Sequence, residues 1–123
     1  MMIIRRSFVA PLLVAGLALI AAAGAETVEI QRIQVVRSVS GIVTDPNGAP
    51  ITGVGVAELG ADGNTVLRTI ETDKAGRFNL SQRPNRRIYS LRISMSGFDP
   101  MIVHLRTSRW TKHVLKVHLV VAT

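Results

Sequence analysis

The chain has 123 residues, a formal net charge of +7 at pH 7 and no cysteine. Its length suits one domain with an apolar core, and the missing thiols exclude thiol catalysis, cysteine-ligated metal and disulfide stapling. The basic balance favours polyanionic partners, with plain solubility as the bland alternative.

The chain starts with Arg5 and Arg6, continues through an apolar run over residues 8–23, and then reads Ala23-Gly24-Ala25. A basic start, a short apolar stretch and small residues before a cut form the plan of a secretory signal peptide. The expected cleavage follows Ala25. An uncleaved membrane anchor is the alternative, but an anchor wants about 20 apolar residues, and Pro11 interrupts this run. No cysteine follows it, so lipid attachment there is excluded. The expected plan is a signal peptide over 1–25, a leading segment or extra strand over 26–37, and a β-domain over 38–123. Such a protein is secreted or periplasmic and touches membrane only transiently, through its leader. Export argues against a nucleic-acid partner.

Residues 27–37 alternate loosely through Val28, Ile30, Ile33 and Val35. From Val39 onward turn signals recur about every ten residues, the spacing of a sandwich. Strands are expected near 39–44, 53–59, 65–72, 77–80, 88–95, 101–106 and 113–121. The turns between them include Asp45-Pro46-Asn47-Gly48, Asp62-Gly63-Asn64, Asp73-Lys74-Ala75-Gly76 and Ser96-Gly97-Phe98-Asp99-Pro100. The fold class is therefore all-β, a seven-stranded antiparallel Greek-key sandwich.

Period-two alternation assigns the faces. Tyr89, Leu91, Ile93 and Met95 point inward, as do Met101, Val103 and Leu105. Phe78 and Leu80 do so in the fourth strand, and Leu115, Val117, Leu119 and Val121 in the last. Gly41 shares parity with Val39 and Val43, which marks a close approach of backbone. The third strand does not sort cleanly, because Arg68 shares parity with Val66 and Ile70.

Gly41-Ile42-Val43-Thr44-Asp45, Gly48-Ala49-Pro50-Ile51-Thr52-Gly53-Val54, Thr72-Asp73-Lys74-Ala75-Gly76-Arg77-Phe78, Tyr89-Ser90-Leu91 and Ser96-Gly97-Phe98 resemble the carboxypeptidase regulatory-like domain. That is a transthyretin-like (prealbumin-like) sandwich, some of whose relatives are grouped with carbohydrate-binding-like folds. The resemblance implies a non-catalytic accessory module and no cofactor.

Each candidate chemistry has a bland counterpart. His104 and His118 sit on outward parity and His113 opens the last strand, so His104 could meet one of the others across a pairing of the last two strands. A zinc site needs about four ligands, and those strands offer no Asp, Glu or Cys; surface histidines are the reading adopted, with no metal. A transthyretin-like hydrolase is the remote alternative. The hydroxyisourate hydrolases on this fold end in Tyr-Arg-Gly-Ser, whereas this chain ends Val121-Ala122-Thr123. No nucleophile-elbow motif supports a serine triad, so no catalytic residue is assigned.

Loop parity says more. Strands that reverse in turn place alternate loops at one end. One end gathers Arg83, Arg86, Arg87, Arg109, Trp110 and Lys112; the other gathers Asp45, Asn47, Asp73 and Asp99. At the first end an indole stacks on a sugar while guanidinium forks take carboxylate or phosphate; alternatively Trp110 caps the core and the arginines are merely solvated. At the second, the acids are either turn formers or oxygen ligands for calcium, and turn chemistry is the simpler reading. The expected function is a non-catalytic envelope module that binds polysaccharide or an anionic polymer at the Arg/Trp end. A module for an envelope protein partner is the alternative.

Overall fold

A computed structural model describes residues 26–123. The expected signal peptide over 1–25 lies outside the described residues. All eight elements are strands: β1 (Val28–Val36), β2 (Ser40–Thr44), β3 (Gly55–Leu59), β4 (Val66–Glu71), β5 (Arg77–Asn79), β6 (Ile88–Ser94), β7 (Met101–Thr107) and β8 (Leu115–His118). The leading segment is a strand, so there is one more strand than the seven expected. Among the described residues no helix is long and apolar enough to cross a membrane.

The strands form a β-sandwich of two sheets. Five strands run in the order β1-β7-β6-β3-β4, and three in the order β5-β2-β8. The β3–β4, β3–β6, β6–β7 and β2–β5 pairs are antiparallel. Two pairs are parallel, β1 with β7 and β2 with β8, so the sheets are mixed where a wholly antiparallel arrangement was expected. Alternation reveals which face a residue takes but not which strand it pairs with. Both parallel pairs join strands distant in sequence, and parallel pairing requires such long connections.

The core forms where the inward rows of the two sheets meet. Val43, Val56, Tyr89, Leu91, Ile93 and Leu105 have no exposed surface, and Phe78, Leu80, Val103, Leu115, Val117 and Leu119 are nearly as buried. Burying a side chain of this size stabilises by about 1.5–3 kcal/mol relative to leaving it in water. The inward parity read from the sequence holds for these rows except at the chain end. Val121 is 53% exposed because β8 ends at His118 and Val121 makes only an isolated bridge to Phe98.

The close approach at Gly41 is real. A Cβ there would stand 2.7 Å from the Leu115 carbonyl oxygen and 3.1 Å from Phe78 Cε1, so any side chain would force β2 away from β8. β1 adds Val36, with no exposed surface, to the core. Its register against β7 shifts between Ile30 and Gln34, a bulge that breaks the alternation and explains why 27–37 reads only loosely as a strand.

The loops sort by parity. The 81–87 and 108–114 loops lie together at one end, where Thr107 N donates to Arg87 O at 2.9 Å and Arg37 N to His113 O at 3.0 Å. The 45–54, 72–76 and 95–100 turns occupy the other, joined by Gly53 N to Thr72 O at 3.0 Å and Val43 N to Gly76 O at 2.8 Å.

Candidate functional site

The basic end holds an open cleft of about 750 Å³ lined by Arg37, Arg83, Arg86, Arg87, Arg106, Arg109 and Trp110, among others. Sequence parity anticipated Arg83, Arg86, Arg87, Arg109 and Trp110 there. Lys112 is exposed on the same loop but does not line the cleft. Arg37 and Arg106 were missed. They come from the ends of β1 and β7, and their meeting depends on the parallel β1–β7 pairing, which alternation does not disclose.

Beneath the cleft lies Glu58, with no exposed surface. It shares parity with Val54 and Val56 and so faces the sandwich interior. Arg68 stands directly opposite it on β4, and Leu91 opposite on β6. Arg68 Nε donates to Glu58 Oε1 at 2.5 Å, Arg83 Nε to Oε2 at 3.0 Å, and Arg86 Nη1 lies 3.4 Å from Oε2. Burial alone would raise the Glu58 carboxyl's pKa. The hydrogen bonds from Arg83 and Arg68 and the charges of those arginines outweigh it and hold the group below its ordinary value. This carboxylate explains the anomaly of strand β4: Arg68 faces inward because its partner is there. Sequence reasoning missed Glu58; the signal that would have found it is an acidic residue on the parity of Val54 and Val56.

Tyr89 shapes the loop above. Its hydroxyl accepts from Arg83 N at 2.8 Å and donates to Arg86 O at 3.1 Å. A buried phenol thus sets the backbone that carries three of the cleft's arginines, and the Arg86 guanidinium lies 5.5 Å from its ring centroid. Arg86 Nε also donates to Ile88 O at 3.1 Å. Arg83 and Arg86 are therefore fixed from below.

The remaining cleft cations are differently placed. Among the described residues, no carboxylate lies within ion-pair distance of Arg37, Arg87, Arg106 or Arg109. Arg37 Nη1 donates to Arg109 O at 3.1 Å, tying the end of β1 to the facing loop. Trp110 is 88% exposed, so it does not cap the core. The Arg109 guanidinium lies 5.5 Å from its ring centroid, a cation–π distance. The arrangement is a set of planar donors around an open basin with one bare aromatic face beside it.

The histidines lie at the surface, as the adopted reading has it: His113 and His118 are exposed and His104 is half-buried. The pairing raised between them does not form. β7 and β8 lie in different sheets, so His104 meets neither His113 nor His118. His104 Nε2 lies 2.8 Å from Glu29 Oε2 on β1, and its Nδ1 lies 2.8 Å from Ser90 Oγ on β6. This line ties three strands across the outer face of the larger sheet. Its carboxylate lies 75 residues from the histidine in sequence, beyond the reach of any local spacing rule. His118 Nδ1 pairs with Thr44 Oγ1 at 2.5 Å across the β2–β8 ladder. No group of three or more potential metal ligands occurs among the described residues.

At the opposite end Asp45 and Asp73 serve their own turns. Asp45 Oδ1 accepts from Asn47 N at 2.8 Å and Ala49 N at 2.9 Å, and Asp73 Oδ1 accepts from Ala75 N and Arg77 N, both at 2.9 Å. The same local geometry is built twice, which matches turn chemistry.

A family model for the carboxypeptidase regulatory-like domain matches residues 38–119. The chain belongs to this family. The membership rests on most of the sandwich, from the segment leading into β2 through to the end of β8. The family is one of non-catalytic β-sandwich modules. A search of curated proteins found no match.

Proposed function

We propose that this carboxypeptidase regulatory-like protein is exported, is itself non-catalytic, and binds an anionic polysaccharide of the cell envelope in the arginine cleft. The observation that carries the reading is the set of four cleft arginines, Arg37, Arg87, Arg106 and Arg109, with no carboxylate partner among the described residues. Guanidinium forks match carboxylate and phosphate groups bidentately, and the bare Trp110 face supplies the apolar platform on which a sugar ring stacks. Glu58 is not part of the docking surface; it neutralises charge below and steadies Arg83 and Arg86. The apolar leader supports export, and export in turn supports an envelope ligand.

Affinity of the purified protein for a panel of acidic and neutral polysaccharides tests this. Acidic members bind, and binding weakens as salt rises. Trp110→Ala and the double variant Arg86→Ala/Arg87→Ala each weaken binding by about tenfold or more, on the scale of one or two charge-assisted hydrogen bonds. Equal affinity for neutral and acidic glycans, or no response to these variants, sinks the proposal.

A second reading, a module that docks an envelope protein, is favoured by one observation. β4 is an edge strand of the larger sheet and exposes Val66 (44%) and Leu67 (41%). An open edge of this kind accepts an added strand. Crosslinking that recovers one defined partner and is lost on Leu67→Lys would favour it over the glycan reading.

A further inference from the structure

We infer that the leader is cut between Ala25 and Glu26 and that the α-ammonium created by the cut docks on Asp99, pinning β1 into the larger sheet. The inference rests on the export reading and on the cleavage position expected from the sequence, and it adds the role of the new terminus.

The first observation is a distance. Glu26 N lies 3.2 Å from Asp99 Oδ1. Two residues on, Val28 N donates to Pro100 O at 2.8 Å and β1 begins opposite Met101. The strand is thus anchored at its start against the turn that carries Asp99.

The second observation is what Asp99 does not do. Asp45 and Asp73 spend their carboxylates on their own turn backbones. Among the described residues the Asp99 carboxylate makes no such bond; its side-chain partner is Glu26 N. Its backbone is fixed independently, with Asp99 N donating to Val120 O at 2.8 Å and Pro100 following. A carboxylate held on a rigid turn and aimed at the start of a strand is a receptor for an amine.

The third is in the sequence. Ala23 and Ala25 put small residues at the two positions that a leader peptidase reads before its cut. Hydrolysis of the Ala25–Glu26 bond adds the hydroxyl of water to the Ala25 carbonyl carbon and leaves its proton on the Glu26 nitrogen. A neutral amide with one hydrogen becomes an amine with an ordinary pKa of about 8, which takes up a further proton at neutral pH. The existing contact then becomes a charge-assisted bond of the shorter, stronger kind. The Glu26 side-chain carboxylate is a second negative group close to the same nitrogen, and it too favours the ammonium.

The consequence reaches the cleft. β1 ends in Val35, which lines it together with the next residue after the strand, Arg37, and in Val36, which enters the core. Docking the new terminus holds the strand whose far end builds one wall of the basin.

The test is made on the full chain expressed in an exporting bacterial host. Terminal sequencing and intact mass of the soluble exported protein should give Glu26 as the first residue. Any other first residue, or a retained leader, overturns the inference. The export reading itself falls only if the protein stays in the cytosol. The α-amine is then titrated by pH-dependent reductive methylation. Its midpoint should lie about half a unit or more above the usual value of about 8 and return to it in Asp99→Asn. A variant with one Ala inserted between Ala25 and Glu26 should also titrate normally, because its terminus is carried past the carboxylate. A wild-type midpoint equal to that of either variant overturns the pairing. None of these readouts depends on polysaccharide affinity, so loss of the binding proposal leaves them standing.

Discussion

The two ends of the sandwich carry charged loops of similar length, yet they use charge in opposite ways. At the turn end, the Asp45 and Asp73 carboxylates are consumed by backbone amides two and four residues ahead. At the arginine end, a single buried carboxylate, Glu58, engages Arg68, Arg83 and Arg86, and the other cleft cations are left to solvent. An aspartate is short enough to satisfy its own turn, whereas an arginine reaches away from its backbone and needs a partner from elsewhere. Where the fold supplies too few partners, an incoming anion completes the set.

Charge reversal should break this contrast most sharply. Arg87→Glu/Arg109→Glu, at two cleft cations with no carboxylate partner among the described residues, is expected to abolish acidic-polysaccharide binding, by about 100-fold or more, with the far-ultraviolet circular dichroism unchanged. Asp45→Ala/Asp73→Ala should leave that affinity intact; a parallel loss of binding would show that the ends are not independent.

Next comes Gly76, at the turn end. It has φ of +73°, and a Cβ there would stand 2.6 Å from the Val43 carbonyl oxygen. Gly76→Ala should cost about 2 kcal/mol or more in urea unfolding, because both the backbone conformation and the space are refused. An unchanged midpoint would mean that this turn is less tightly seated than its contacts imply.

Glu58 sharpens the comparison from the other end. Glu58→Gln should destabilise by about 1–3 kcal/mol, on the scale of buried polar groups losing their partner, and loosen Arg83 and Arg86 without unfolding the sandwich. Because the folded-state pKa of Glu58 is lowered, its contribution is fully present above the unfolded value of 4.5 and is lost as pH falls through the lower folded value. Wild type should therefore lose more stability than the variant on acidification below about pH 4.5. Parallel pH profiles for the two would refute the assignment.

The smallest effect belongs to Asp62. Bonds from Thr65 Oγ1, Thr65 N and Asn64 N hold its carboxyl at about 2, against an ordinary 3.8. Asp62→Asn should flatten the stability profile only between those two values, where protonation of the wild-type side chain removes its turn bonds.

Much of this was legible in the sequence because turns and alternation are local. Tyr89, Leu91 and Ile93 declare an inward row by spacing alone, and Asp73-Lys74-Ala75-Gly76 declares a turn. The gathering of Arg83, Arg86, Arg87, Arg109 and Trp110 followed from counting reversals. Pairings between distant segments were not legible. Arg37 and Arg106 meet through a parallel pair, and Glu29 meets His104 across most of the chain length. Glu58 lay between these cases: its parity was visible, and Arg68 on the wrong face of β4 was the other half of the same fact.

β1 has one further effect. Without it, the chain would enter beside the arginines at the start of β2 and leave at the opposite pole after β8, because those strands run the same way. β1 carries the entry point back, so that Glu26 lies beside Asp99 and Ala122 N donates to Gly97 O at 3.0 Å. Entry and exit then share one pole. A tether attached beyond the last strand would hold the guanidinium basin at the distal tip, turned away from whatever the tether is fastened to.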